Sequence, residues 1–351
     1  MRIKSFSQRI LKWFDAHGRK HLPWQHDKTP YRVWISEIML QQTQVATVIP
    51  YFERFMLLFP DVHALAHARE DEILHVWTGL GYYSRARNLH RAAKMVCNEF
   101  DGVFPSSVES LMSLPGIGQS TAGAIVALAF NKSATILDGN VKRVLARTHG
   151  VRSAINEKET ENLLWSLAAS YSPSERIADY TQAMMDMGAT VCTRSKPQCG
   201  ACPLQRSCVA YDADLISVIP AKKRGKKLPV RTATFIILKS ANGILLTKRE
   251  PPGIWGGLYS FPEIEGVANS RVVSDFCRRQ FAMTAGKHQT LHSFRHTFSH
   301  YHLDIFPVVV DIATLPLKIQ DGAERIWYNP LNPVAVGLPK PVQIIMRKLI
   351  K

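Results

Sequence analysis

The chain has 351 residues, 46% of them hydrophobic, and its 44 Lys and Arg outnumber 28 Asp and Glu for a formal charge of +16. That length and composition support two or three domains with real cores and exclude a disordered or fibrous chain. The charge draws the molecule to a polyanion, nucleic acid first, with a basic surface kept for solubility as the alternative.

Ile3, Phe6, Ile10, Trp13 and Phe14 recur at helical spacing among basic residues, and no apolar run is long enough for a signal peptide or a membrane span. A cytoplasmic protein with reduced thiols and no membrane partner is expected. Thr29-Pro30 reads as an N-cap and first turn, followed by Trp34, Ile38, Val45 and Ile49 near one face until Pro50. Helical patterns continue over 52–58, 65–76, 85–97 and 160–169.

In Leu114-Pro115-Gly116-Ile117-Gly118, the two glycines make a tight turn before the apolar helix 125–130. The free amides at that helix start suit a phosphate oxygen, so the segment reads as a helix-hairpin-helix that grips DNA backbone without reading bases. Asp138-Gly139 follows, placed to cap a helix at Val141. Cys192, Cys199, Cys202 and Cys208 then fall within 17 residues as C-x6-C-x2-C-x5-C, the pattern of four thiolates on one metal centre. One C-x2-C knuckle flanked by single cysteines in a continuous loop suits a 4Fe-4S cube, with zinc or disulfides as alternatives. Arg194, Lys196 and Arg206 lie among the ligands and would offset the negative cluster.

From Asp214 the character changes. Lys222, Lys223, Arg224, Lys226 and Lys227 surround Gly225, with no acid between Leu215 and Arg231, which reads as an exposed basic linker. Asn242-Gly243 between two apolar runs predicts a hairpin, 272–281 a helix, 297–310 alternating strand and 342–349 a closing helix. The expected architecture is an all-α body over 1–213, a basic linker over 214–231 and a smaller α/β domain over 232–351.

The hairpin, the Asp after it and the cysteine loop together resemble the endonuclease III superfamily of helix-hairpin-helix DNA glycosylases. Within it, the run Trp34 to Val45 containing Glu37 and Gln42, Gly79-Leu80-Gly81-Tyr82-Tyr83, and Phe294-Arg295-His296-Thr297-Phe298-Ser299-His300 are similar to the MutY-type adenine glycosylase family. The resemblance implies base excision repair of double-stranded DNA carrying adenine opposite 8-oxoguanine or guanine, a 4Fe-4S cluster on the four cysteines, and a monomer at the nucleoid. It places Gln42 and Tyr82 in the DNA stack and Phe298, Ser299 and His300 at the lesion. Lyase-type relatives carry a lysine two residues after the hairpin's second glycine, where this chain has Ser120, which implies base removal without strand cleavage. The alternative is a lyase-active glycosylase for damaged pyrimidines. Trp255-Gly256-Gly257-Leu258-Tyr259 resembles the entry to a Nudix fold, but the following helix offers Arg271, Asp275, Arg278 and Arg279 where magnesium needs several carboxylates. Recognition, not hydrolysis, is therefore expected of that domain.

The chemistry follows from the residues. Adenine must leave the stack to expose its glycosidic bond, and it departs only when protonated on its imidazole ring. Glu37, among Trp34, Ile38, Met39 and Leu40, would be raised by desolvation and could act as that acid. Asp138, ionised, would face the oxocarbenium-like sugar, as in glycoside hydrolysis. Gly116, Gly118, Ser120 and Lys142 complete the expected DNA contacts.

Overall fold

The computed structural model describes residues 3–221, 227–312 and 324–349. It resolves into two compact units, Met1–His67 with Asn88–Arg224, and Ala68–Arg87 with Gly225–Lys351. The basic linker residues Lys222, Lys223, Arg224, Gly225 and Lys226 lie outside the described residues.

In chain order the helices are α1 (Ile3–His17), α2 (Pro30–Leu40), α3 (Val45–Leu58), α4 (Val62–His67), α5 (Glu70–Val76), α6 (Ser84–Glu99), α7 (Val108–Met112), α8 (Gln119–Phe130), α9 (Gly139–His149), α10 (Lys158–Tyr171), α11 (Ile177–Asp186) and α12 (Val209–Asp212). α5 and the first turn of α6 group with the second unit. The apolar face read as continuous to Pro50 is two helices. Gln42 adopts a left-handed φ of 57° that no helix propagates, and Pro50 is carried inside α3.

The first unit is built around α2 and α8. Trp34, Ile35 and Met39 of α2 are fully buried, as are Ala122, Ile125 and Ala127 of α8. On α8, Gly123 faces the segment that precedes α9, where any Cβ would overlap the Thr135 carbonyl oxygen. That contact sets the irregular segment 132–138 against α8 and so fixes the start of α9. α7, the turn through Gly116 and α8 form the expected helix-hairpin-helix, with Gly116 at φ 82° and any Cβ there 2.8 Å from Asn88 Cβ.

The second unit contains β1 (Val230–Ser240), β2 (Gly243–Lys248), β3 (Tyr259–Ser260), β4 (Glu263–Glu265), α13 (Ser270–Phe281), β5 (Ala285–Thr290), β6 (Phe294–Thr297), β7 (His302–Ile312), β8 (Arg325–Tyr328) and α14 (Lys340–Leu349). The strands run β3-β2-β1-β7-β5, with β4, β6 and β8 pairing to β1, β7 and β2. β1 and β7 are parallel and central, in keeping with the unbroken buried stretches Ala233–Leu238 and Pro307–Val310, while the Asn242-Gly243 hairpin joins β1 to β2 with Ser240 opposite Gly243. The strand pattern expected over 297–310 is broken at Phe298–Tyr301, where the Phe298 amide donates to the Tyr301 carbonyl and β6 turns into β7. Val273, Cys277 and Phe281 of α13 close the core over Ile236, Leu238 and Val310.

Gly123→Ala is expected to lower stability by about 1–3 kcal/mol, the cost of overpacking a tight core. Urea denaturation monitored by far-UV circular dichroism checks this, and an unchanged midpoint would show that segment 132–138 yields freely.

Candidate active site

Thr29 caps α2, its hydroxyl accepting the Arg32 amide at 3.3 Å, and Pro30 occupies a first-turn position where its missing N–H costs nothing. Most of α2 is buried, and Glu37 and Leu40, one turn apart, are the residues that reach a cleft of about 730 Å³ in the first unit. Asp138 and Ser120 line the same cleft. Ser120 Oγ accepts the Leu137 amide at 3.0 Å, tying the residue before Asp138 to α8. Asp138 is both cap and cleft residue. Its Oδ1 accepts the Asn140 and Val141 amides at 3.1 and 2.8 Å, and its Oδ2 accepts Asn140 Nδ2 at 3.0 Å.

The two carboxyls have different surroundings. Burial pushes Glu37 up to about 8, and the negative charge of Asp138 adds to the effect. Burial also raises Asp138, but the Val141 and Asn140 donors and the Arg143 guanidinium pull against it. Asp138 therefore ionises first and holds the proton on Glu37.

Another part of the cleft lining was not visible in the sequence. Asp186, fully buried, accepts the Arg19 amide, both Arg19 Nε and Nη2, and Gln182 Nε2 at 2.7–2.9 Å. Arg19 and Gln182 reach the cleft, with Trp24, Gln41, Thr43 and Asn140. Arg19 and Asp186 are 167 positions apart, so no local pattern announces them.

The remaining site residues fall elsewhere. Gln42 is exposed beside cleft residues Gln41 and Thr43. Gly116 and Gly118 are exposed, and Gly118 precedes α8 without a side-chain cap. Lys142 is paired with Glu161. In the second unit, Tyr82 shares a cavity of about 350 Å³ with Phe298, Ser299 and His300. Tyr82 is 46% exposed at φ 48°, and Phe298 stacks on Tyr301 at 4.6 Å and leans on Trp255 at 5.1 Å.

Cys192, Cys199, Cys202 and Cys208 are all free thiols and line one cavity together with Arg147. Burial raises Cys199, Cys202 and Cys208, Cys202 to about 11, each further raised by neighbouring cysteines. Backbone amides of Leu204, Ala210 and Tyr211 point at the sulfurs, and Arg147 Nη1 donates to Cys192 Sγ at 3.4 Å. This donor set, anion-seeking on all sides, fits a tetrathiolate cluster. The expected cations Arg194, Lys196 and Arg206 are exposed, and the buried one is Arg147, 45 residues upstream. Among the described residues no group of three or more His, Cys, Asp and Glu side chains is drawn together as for a bound metal.

Glu37→Gln tests the burial of the acid. The unfolded Glu loses its proton near 4.5 and the folded one near 8, so between those values rising pH favours the unfolded chain. Gln lacks that penalty, and its stability gain is expected to grow by up to ~1.4 kcal/mol per pH unit across the window. Urea midpoints at pH 5 and 7.5 measure it, and an equal gain at both would show a solvated Glu37.

Residues 35–170 match the model of the HhH-GPD superfamily base excision DNA repair protein, and residues 233–348 match the NUDIX domain model. The adenine DNA glycosylase of Buchnera aphidicola from Acyrthosiphon pisum is 39% identical over 346 residues, 99% of this chain and 98% of the relative. That of Buchnera aphidicola from Baizongia pistaciae is 42% identical over 347 residues, 99% and 97% of the two chains. The human adenine DNA glycosylase is 30% identical, covering 95% and 72%. Among solved structures, a thermostable thymine-DNA glycosylase superposes with a TM-score of 0.55 at 29% identity, over 60% of this chain and 97% of that one. A non-covalent endonuclease III–DNA complex shares the fold, with a TM-score of 0.52 at 23% identity, over 61% and 96%. The helix-hairpin-helix base excision repair match followed by a NUDIX match, together with adenine DNA glycosylases 39–42% identical over 99% of the chain, places the chain in the adenine DNA glycosylase family.

Proposed function

We infer that the protein hydrolyses the N-glycosidic bond of adenine mispaired with 8-oxoguanine or guanine in duplex DNA, leaving an abasic site and an uncut strand. The observation that carries this is one cleft lined by Glu37, protonated at neutral pH, and by Asp138, which ionises before it. The extruded adenine enters that cleft and receives the Glu37 proton on its imidazole ring, which makes it a leaving group. Asp138, fixed by its three donors, sets negative charge against the oxocarbenium-like sugar. Glu37, now a carboxylate, takes a proton from the attacking water. Ser120 supplies no amine for a Schiff base, which favours simple hydrolysis over the lyase reading.

In this reading residues 1–213 excise and 232–351 read the base opposite adenine through Phe298, Ser299 and His300, a division supported by the family matches at 35–170 and 233–348. Gln42 and Tyr82 fill the gap in the stack, and the hairpin glycines and Lys142 meet the backbone. Cys192, Cys199, Cys202 and Cys208 hold a 4Fe-4S cluster, whose iron–thiolate bonds fold the 192–208 loop. The net charge of +16 supports DNA as the partner of a monomer acting at the nucleoid in the cytoplasm. No helix among the described residues is long and apolar enough to cross a membrane.

Duplexes with adenine opposite 8-oxoguanine, guanine or thymine test the activity in single-turnover reactions. Strand breaks are expected after alkali only, and Glu37→Gln and Asp138→Asn are each expected to slow base release at least ~100-fold while binding persists. The wild-type rate falls as pH rises through about 8, where Glu37 loses its proton. Near-native excision by either variant overturns that residue's role.

Protein purified without oxygen is expected to carry about four irons per chain with an iron–thiolate band. Stoichiometric zinc would overturn the cluster.

A further inference from the structure

The second unit contains twenty residues from early in the chain, 68–87, that carry Tyr82. They are fastened along their length. At the start of α5, Asp71 Oδ1 meets Lys248 Nζ at 2.7 Å, each side chain only 27% exposed. In its last turn, the His75 ring meets the Val336 carbonyl at 3.1 Å, and past its end the Leu338 amide donates to Thr78 Oγ1 at 3.4 Å. Gly337 lies so close that a Cβ would come 2.9 Å from Leu74 Cβ. At the start of α6, the Arg87 guanidinium donates to the Gly256 carbonyl.

The turn between these ties is itself stiff. Gly79, Gly81 and Tyr82 all have positive φ, and the Gly81 carbonyl accepts both Trp77 Nε1 and Arg85 Nη2. Gly256 adjoins Trp255, which is held at φ 58° under the Arg249 guanidinium and packs against His296 and Phe298. Arg249 is pinned in turn by both oxygens of Glu263. A continuous set of contacts therefore runs from the lesion-facing ring to the Tyr82 turn.

We propose that residues 68–87 are a transmission arm, locked by the Lys248–Asp71 ion pair and the Arg87–Gly256 bond, through which contact with the base opposite adenine positions Tyr82 for extrusion. The proposal rests on the functional reading above. Lys248 and Asp71 are positioning residues: neither lines the Tyr82 cavity nor the carboxylate cleft. Without the pair, Phe298 and His300 still recognise the opposite base, but recognition no longer sets the wedge.

The test uses the full-length protein with Lys248→Glu, Asp71→Lys and the double exchange. Two preferences are measured for 8-oxoguanine over guanine opposite adenine: single-turnover excision rate, and affinity for duplexes with a non-cleavable adenine analogue. Each single variant is expected to keep the affinity preference and lose about fivefold or more of the rate preference, and the double exchange to restore it. Gly337→Ala, which displaces Leu74 without a charge change, is expected to act as the single variants do, and active-site titration corrects for any misfolded fraction. Wild-type rate preference in the single variants, or a loss that the exchange leaves in place, overturns the arm. A wild-type protein with no preference for 8-oxoguanine overturns the functional reading instead.

Discussion

A buried arginine with no carboxylate among its hydrogen-bond partners organises the catalytic unit. Arg147 is 2% exposed and donates to the carbonyls of Thr193, Arg194, Ile216 and Ile219 and to Cys192 Sγ. Five neutral or sulfur acceptors satisfy its geometry, yet a guanidinium removed from water still needs an anion nearby. The four cysteines supply one only as thiolates, and burial resists that charge. A guanidinium and thiolates there would each offset the other's desolvation, and the Arg147 hydrogen bonds tie the cysteine loop to α9. One turn earlier, Arg143 donates to the Cys192 and Gly188 carbonyls and to Asn140 Oδ1, while Asn140 donates to Asp138. Gly188 approaches Asn140 so closely that no side chain fits there. The position of Asp138 is inherited from this stack of contacts on a single helix.

The same burial explains how two carboxyls of one cleft come to differ in protonation. Asp138 has three donors at a helix start, where the first amides favour negative charge. Glu37 sits in mid-helix, and dehydration and Asp138 are what act on its carboxyl. Charge on one favours the proton on the other, so it is environment rather than residue type that sets the two carboxyls apart.

What was legible in the sequence was local. The cysteine spacing, within 17 residues, and the Gly116 and Gly118 turn, the Asp138 cap and the Asn242-Gly243 hairpin, each within a few, are short-range patterns. The α2–α3 break at Gln42 was missed because glutamine carries no turn signal, and its left-handed φ comes from the fold. Arg147 and the Arg19–Asp186–Gln182 wall were missed because their partners lie 45 to 167 positions away. Arg194, Lys196 and Arg206 drew attention by proximity to the cysteines, but solvent already stabilises their charge; burial makes Arg147 the cation that matters. The strand break at Phe298–Tyr301 hid inside an alternating pattern for the opposite reason: aromatic turn residues imitate a strand.

An undamaged adenine offers no chemical mark of its own, so discrimination has to come from the base across from it. A reader placed on one body and a wedge on another would each respond to DNA separately, and binding the lesion would not favour opening its partner. On the proposed reading, grouping residues 68–87 with the unit that carries the turn of Phe298 and His300 removes that independence. The cost is topological: an early segment of the chain has to be held by residues more than 160 positions later, which is why ion pair, carbonyl bonds and close glycine contacts are all concentrated on it. Parts with so little local reason to associate are held together by specific polar geometry, and that geometry is what a two-part recognition event requires.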